Sequence, residues 1–88
     1  MASDDARRRR TLHEIIAQIL GVCHTSARKT TLMYRCNMSF TQLTGYLDLM
    51  LGARLLQIEN NGSHLLFRIS GKGRDFLKAY EGLKNLME

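Results

Sequence analysis

The stretch KTTLMYRCNMSFTQLTGYLDLML, residues 29–51, contains two amphipathic helical patterns with almost no residues between them. Thr30 is a suitable N-cap for the first pattern, which supplies about two turns over residues 30–36. Asn37 tolerates the left-handed backbone conformation that ends a helix, and Ser39 is a suitable N-cap for a second helix. Two helices joined by so tight a turn predict a helix-turn-helix, in which both helices pack against an earlier one.

The second of these helices, predicted over residues 39–52, has two unlike faces. Its apolar face carries Phe40, Leu43, Leu47 and Met50. Its opposite face carries Thr41, Gln42, Gly45, Asp48 and Gly52, with Leu49 beside them. Lys and Arg are absent from that opposite face. We therefore expect the first face to join the core and the second to face solvent or a partner.

The residues before the break predict one more helix, over residues 8–21. Apolar side chains recur there at helical spacing: Leu12, Ile15, Ile16, Ile19 and Leu20. Thr11 and Glu14 have the spacing of a capping box, which would place the start of the helix beside them. An earlier start is also open, because three upstream residues could serve as its N-cap: Ser3, Asp4 and Asp5.

The residues after the break predict a wing and a final helix. Residues 55–59 and 64–69 have the pattern of two strands around an Asn-Gly hairpin turn. The buried face of the second strand is predicted to carry Leu65, Phe67 and Ile69. Ser70 is a suitable N-cap for a helix over residues 71–87. The apolar stripe of that helix is Phe76, Leu77, Tyr80, Leu83 and Met87.

This order of elements predicts an α+β fold that is mostly α: a winged helix-turn-helix with three helices, a two-stranded wing and a C-terminal helix. The 88 residues suffice for one small domain. We expect residues 1–6 to form a disordered tail, residues 7–70 the winged domain and residues 71–88 the C-terminal helix.

The charge of the chain favours a polyanionic partner. Lys and Arg number 13 against 8 acidic residues, giving a formal net charge of +5. Such an excess suits nucleic acid or an anionic membrane surface, and a merely solvated positive surface is the alternative. No apolar run approaches the roughly 20 residues that cross a bilayer. No apolar stretch follows the basic start, so we expect a soluble cytoplasmic protein without a secretory signal.

The motifs that carry catalysis or metal binding are missing from the sequence. Cys23 and Cys36 form no CxxC pair and lack the further ligands of a zinc site, so we expect both in or near the core. Nothing matches a P-loop, a dinucleotide-binding turn or a nucleophile elbow. We therefore expect no metal, no cofactor and no enzymatic activity.

Three blocks, RRTLHEIIAQIL, KTTLMYRCNMSFTQLTGYLDLML and ISGKGRDFL, resemble the small basic winged-helix DNA-binding proteins of archaea. The resemblance covers most of residues 7–81 and implies binding to double-stranded DNA by a homodimer that pairs through its last helix. It makes residues 39–51 the recognition helix and residues 59–64 the wing, with Asn60, Asn61 and His64 there. The chain departs from the family in its shorter last helix, whose stripe spans about two heptads. The dimer interface is predicted at Phe76, Leu77, Tyr80, Leu83 and Met87.

The expected DNA contacts follow from side-chain chemistry. On the recognition helix, base edges could be read by Ser39, Thr41 and Gln42. Phosphates would be bound by Arg7, Arg8, Arg9, Arg10, Arg28, Lys29 and Arg35. A second basic edge, or a merely solvated surface, is formed by Arg54, Arg68, Lys72 and Arg74. These contacts predict a transcriptional regulator or nucleoid component that binds duplex DNA with weak sequence selectivity.

A rival hypothesis is a winged helix that binds another protein and no DNA. The outer face of residues 41–52 is unobstructed, and Leu49 is expected to be exposed on it, which suits packing against a protein. RNA is a weaker third candidate, because no aromatic stacking platform is evident.

Overall fold

A computed structural model of the protein describes residues 10–88, in which the predicted winged helix-turn-helix is confirmed. The helices are α1 Leu12–Val22, α2 Lys29–Cys36, α3 Phe40–Gly52 and α4 Gly71–Leu86. The strands are β1 Leu56–Asn60 and β2 Leu65–Ile69, paired antiparallel. The tail predicted over residues 1–6 lies outside the described residues.

A reciprocal cap fixes the start of α1. The Glu14 backbone N–H donates to the Thr11 hydroxyl at 3.1 Å, and the Thr11 N–H donates to the Glu14 carboxylate at 2.7 Å. The predicted capping box is therefore confirmed. Because both cap groups are satisfied by this pair, α1 begins at Leu12 and not at residue 8 as predicted. The alternative caps upstream lie outside the described residues.

The break between α2 and α3 has the predicted form. Asn37 adopts the left-handed conformation, with φ 54° and ψ 57°, and the Met38 N–H donates to the Met33 carbonyl at 3.1 Å. The predicted cap of α2 is wrong, because the N-cap is Arg28 and not Thr30. Arg28 makes no side-chain capping bond, and its position follows from the backbone pairing of Ala27 with β2.

The start of α3 and its buried face are also as predicted, with one exception. Ser39 caps the helix and forms a capping box with Gln42. The side chains that α3 buries are Leu43, Leu47 and Met50. Phe40 was expected among them and is 58% exposed. It is the first residue of α3, and its ring lies under the Lys29 ammonium at the rim of the core.

The wing is a short twisted hairpin whose base joins the core. Its register pairs Ile58 with Phe67 and Asn60 with Leu65. Phe67 and Ile69 are buried as predicted, whereas Leu65 is 54% exposed. Leu65 lies beside the turn, and the core ends below it. The chain reverses at Gly62, whose φ of 97° favours glycine.

A third segment extends the wing towards α2. The Ala27 N–H donates to the Phe67 carbonyl at 3.0 Å, and the Phe67 N–H donates to the Ala27 carbonyl at 2.8 Å. This single pair lies on the side of β2 away from β1. It places the residues that open α2 directly beside the wing.

The core fills the space between the three N-terminal helices, the base of the wing and α4. Both cysteines are fully buried in it, as predicted. Burial raises the pKa of the Cys23 thiol to about 12, and it also raises the pKa of Cys36. Among residues 10–88, no helix is long and apolar enough to cross a membrane.

Candidate nucleic-acid interface

The outward face of α3 is the surface that the sequence assigned to recognition. Its members are all exposed: Thr41, Gln42, Gly45, Asp48, Leu49 and Gly52. Gly45 has nothing within 4 Å of the position that a Cβ would occupy, so this face presents open backbone. Asp48 is the ionisable group on it. The face can approach a partner closely and carries no positive charge of its own.

Two of the three predicted base-reading residues, Ser39 and Gln42, form the cap of α3. The Gln42 N–H donates to the Ser39 hydroxyl at 3.1 Å. The Gln42 side-chain oxygen in turn accepts from the Ser39 N–H and from the Ser39 hydroxyl, each at 3.2 Å. A bidentate contact with adenine needs both the oxygen and the amide nitrogen of Gln42, so it would compete with the cap.

Positive charge reaches the start of α3 from α2. The Lys29 ammonium lies 4.0 Å from the centroid of the Phe40 ring, which is a cation–π distance. Both residues are the first of their helices. The contact therefore holds the cation beside the N-terminal end of α3, where the helix dipole also favours anions.

A second contact joins α2 to the wing. The Arg28 atom Nη1 lies 3.4 Å from Nδ1 and 3.4 Å from Nε2 of His64. The backbone pairing of Ala27 with Phe67 brings these two side chains together. Arg28 and Lys29 thus form a pair of adjacent cations, one directed to the wing and the other to α3.

Two further predicted phosphate contacts lie in the described part of the chain, Arg10 and Arg35, and neither joins this pair. Arg10 donates to the Gln18 side-chain oxygen at 2.7 Å and to the Cys36 carbonyl at 2.6 Å, so protein acceptors hold it. Arg35 is exposed in the last turn of α2, about 9 Å along the helix axis from Lys29. The three other arginines of the N-terminal run lie outside the described residues: Arg7, Arg8 and Arg9.

Two predicted wing residues shape the turn. The Asn60 side-chain oxygen accepts from the Gly62 N–H at 2.8 Å. The Asn61 side-chain oxygen accepts from the His64 N–H at 3.0 Å. These bonds make the wing tip a defined loop and leave the His64 ring exposed beside Arg28.

The second basic edge is partly neutralised. Arg68 pairs with Glu59 at 3.1 Å, and Ser26 donates to the same carboxylate at 2.5 Å. These hydrogen bonds, from Ser26 first and then from Arg68, lower the pKa of Glu59. The cluster joins the loop before α2 to both strands, so its role is to orient the wing. The other members of the edge are exposed: Arg54, Lys72 and Arg74.

The predicted dimer residues divide along α4. Leu77 is buried in the protomer's own core, and Phe76 and Tyr80 are half-buried. Leu83 is 58% exposed and Met87 79% exposed. A groove of about 590 Å³ runs between this end of α4 and the start of α1, and the His13 ring stacks on Phe76 within it, with 6.0 Å between centroids.

Several of these relationships have no signal in the sequence. The Lys29–Phe40 contact joins residues 11 positions apart, and the Arg28–His64 contact joins residues 36 positions apart. No local sequence pattern specifies contacts at such separations. The hydrogen bonds of Arg10 to the Gln18 side chain and the Cys36 carbonyl depend on where α2 ends relative to α1. Alternating hydrophobicity could indicate the wing, but it gives no sign that Ala27 extends it.

Two closely joined helices, α2 and α3, followed by a two-stranded wing define the class of winged helix-turn-helix domains. The family model described as winged helix-turn-helix matches residues 9–88, so the chain belongs to this family. Comparison with curated proteins finds no matching sequence.

Solved structures share the fold at low sequence identity. The chain is similar to Sso10a-2, a DNA-binding protein from Sulfolobus solfataricus, with 22% identity and a TM-score of 0.77 over 90% of this chain and 82% of that one. The chain is also similar to the transcriptional regulator BldR from the same organism, with 22% identity and a TM-score of 0.71 over 83% of this chain and 56% of that one. A third similar structure is the homodimeric winged helix-turn-helix DNA-binding domain of Mb0332 from Mycobacterium bovis. Its sequence identity is 18% and its TM-score 0.72, over 84% of this chain and 71% of that one.

Proposed function

We propose that this protein is a transcriptional regulator or nucleoid-associated protein that binds double-stranded DNA. The observation that carries the proposal is the position of the adjacent pair Arg28 and Lys29. One cation contacts the wing and the other contacts the first residue of α3. Positive charge therefore runs from the wing to the helix that would enter the major groove. The solved structures of DNA-binding proteins with this fold support the same function.

In this proposal phosphates are bound from the edges and bases are approached by α3. Arg28 and Lys29 lie at the helix and wing boundaries, so they contact the backbone and set the register of the protein on DNA. Arg35 extends these contacts along α2. The small exposed side chains of α3 let its backbone come close to the groove floor, where Thr41, Ser39 and Gln42 are the residues that reach base edges.

Sequence selectivity is weak in this arrangement for two reasons. The outward face of α3 lacks Arg and Lys, which are the usual bidentate partners of guanine. The oxygen of Gln42 accepts two hydrogen bonds within the cap, so reading adenine would cost cap interactions. Most of the affinity would come from phosphates, and such binding falls steeply with salt. A nucleoid location in the cytoplasm suits a protein of this kind.

The proposed protein acts as a homodimer through the end of α4. Leu83 and Met87 are exposed and line the groove against α1, and Leu86 is exposed near the end of the same helix. A second copy of the helix would cover these side chains and the half-buried rings of Phe76 and Tyr80. An interface of standard size needs roughly 800 Å² from each protomer. The Mb0332 domain, which has the same fold, is described as homodimeric.

A second function rests on the outward face of α3, which carries no Lys or Arg. Leu49 is exposed there beside open glycine backbone, and Asp48 would repel phosphate. A protein partner packed on this face is the alternative to DNA. The positions of Arg28 and Lys29 favour DNA, because a partner bound only by the outward face of α3 would not contact either cation.

The test is duplex binding at two salt concentrations, with mixed-sequence DNA and with several defined sequences. We expect tight binding of all duplexes at low salt and a marked loss at high salt. Undetectable binding at low salt would instead favour the protein-interaction function. A Gly45→Leu variant sharpens the test, because a bulky side chain on the outward face would block the groove while the fold has room for it.

A further inference from the structure

We propose that Arg28 and His64 form a proton-dependent clamp for one DNA phosphate, so that each protomer takes up a proton when it binds. The inference rests on the proposed DNA-binding function and adds a site and a pH dependence to it. The ligand is a phosphodiester of the duplex backbone at the boundary between α2 and the wing.

The geometry of the pair points to this role. Nη1 of Arg28 is 3.4 Å from both ring nitrogens of His64. An Nη1 atom placed in the plane of the ring, 3.4 Å from both nitrogens, would collide with the ring carbon between those nitrogens. The guanidinium therefore lies over the face of the imidazole. Neither ring nitrogen points its lone pair or its N–H at Arg28, so both ring edges remain available to a ligand.

The charges of the pair explain the coupling to protons. Histidine is the side chain whose ordinary titration falls between about pH 5 and pH 8. Protonation of His64 in the free protein would place two positive charges face to face. A phosphate that contacts both groups would offset this repulsion and accept hydrogen bonds from each. Binding therefore favours the protonated ring.

Within residues 10–88, the charged group that contacts the ring is Arg28. On its own loop, the His64 N–H donates to Asn61, which fixes the backbone and leaves the ring exposed. Ala27 holds the base of the arrangement through its pairing with Phe67. The two side chains thus stand at a fixed place without being buried.

The experiment measures the affinity for a mixed-sequence duplex at constant low salt between about pH 8 and about pH 5.5. We expect wild-type binding to tighten as the pH falls, by up to about tenfold per pH unit for one coupled proton per protomer. The His64→Gln variant should lose most of this pH dependence. Calorimetry in two buffers of different ionisation enthalpy should show proton uptake by the wild type and less uptake by the variant.

His24 supplies a matched control, because it is exposed in the loop after α1. His24→Gln should retain the wild-type pH dependence. Equal pH dependence in wild type and His64→Gln would overturn the clamp while leaving DNA binding intact. Absence of binding at every pH would overturn the proposed function itself, and with it the clamp.

Discussion

The guanidinium of Arg10 lies 2.6 Å from the Cys36 carbonyl, where it satisfies one of the orphan acceptors at the end of α2. The same side chain donates to the Gln18 side-chain oxygen at 2.7 Å and to the Asn37 carbonyl at 3.3 Å. These bonds tie the segment before α1 to the end of α2 and to the turn between α2 and α3. Arg10 therefore stabilises the helix-turn-helix itself.

Replacing Arg10 with Met should lower the free energy of unfolding by roughly 1–3 kcal/mol, since hydrogen bonds from a charged donor are removed and carbonyls are left unpaired. Urea denaturation followed by circular dichroism measures this change. Arg35→Met is the matched control, because Arg35 is exposed, and its replacement should change stability by less than about 0.5 kcal/mol. Unchanged stability together with a large drop in DNA affinity would mean that Arg10 binds phosphate instead.

At Gly73, α4 packs directly against the backbone of Leu55. A Cβ placed there would collide with the Leu55 carbonyl oxygen and with the Ile69 side chain. Gly73→Ala should destabilise the fold by about 1–3 kcal/mol, because a backbone oxygen cannot move aside as a flexible side chain can. Gly82→Ala, on the same helix with open space around it, should instead stabilise by about 0.5–1 kcal/mol. If both variants change the free energy of unfolding equally in urea denaturation, the close packing at Gly73 is contradicted.

The sequence predicted those parts of the fold that local physics decides. Ser39 as a cap, Asn37 as a left-handed stop and the Asn-Gly turn each depend on residues within a few positions of one another. Phe40 and Leu65 were wrongly placed in the core. Each matches the apolar period of its element, and each lies where that element extends past the core. Periodicity indicates which face is apolar, and only the packing decides how far along the element burial continues.

The candidate site was predictable in its components and not in its arrangement. The chain's positive charge and the outward face of α3 are evident from residue types. The contacts of Lys29 with Phe40 and of Arg28 with His64 depend on how α2, α3 and the wing meet. No pattern within one segment specifies how these three elements pack together, because the contacts join residues that are distant in sequence. For the same reason, Arg10 could be identified as basic and not as a cap.

The Cys23 thiol should be inert in the folded protein. Its pKa is raised from 9.0 to about 12, so it stays protonated at neutral pH, and the thiolate is the reactive form. Ellman's reagent at about pH 8 should react with the folded chain only as fast as it unfolds. Both of the two cysteines should react at once in denaturant. Rapid labelling of the native protein would contradict this burial.

The same shift predicts a loss of stability at high pH. The pKa of Cys23 is higher in the folded state, so its contribution to stability is fully present below pH 9.0. It is lost as the pH rises from 9.0 to about 12, because the unfolded chain releases the proton first. Cys23→Ala should remove this component of the pH dependence, although it also leaves a small cavity.

The exposed end of α4 predicts self-association. Leu83→Glu places a charge on the surface that a second copy would cover, so sedimentation should show a dimer for the wild type and a monomer for the variant. Lys78→Glu is the matched control, since Lys78 is exposed on a different side of the helix from the groove. A wild type that stays monomeric well above micromolar concentration, or a Leu83→Glu variant of unchanged mass, would contradict the dimer.

The salt dependence of the proposed DNA binding would measure how many phosphates the protein neutralises. Neutralising about four to six phosphates per protomer gives a slope of log affinity against log salt of roughly −4 to −5. Arg28→Ala and Lys29→Ala together should weaken binding to all duplexes alike and flatten the slope by about one for each phosphate that is no longer neutralised.

Gln42→Ala should change total affinity little and relax any base preference, by about 1–3 kcal/mol where its hydrogen bonding is bidentate.

The variants separate two sources of binding that share one surface. Replacing Arg28 and Lys29 removes charge and leaves the α3 cap in place, whereas replacing Gln42 removes a cap partner and leaves the charge. Circular dichroism therefore accompanies the Gln42→Ala titration, because a shorter α3 would also lower affinity. An unchanged slope in the double variant would place the phosphate contacts on a different surface. A slope that flattens by about two, with equal weakening on every duplex, is the outcome that the positions of Arg28 and Lys29 require.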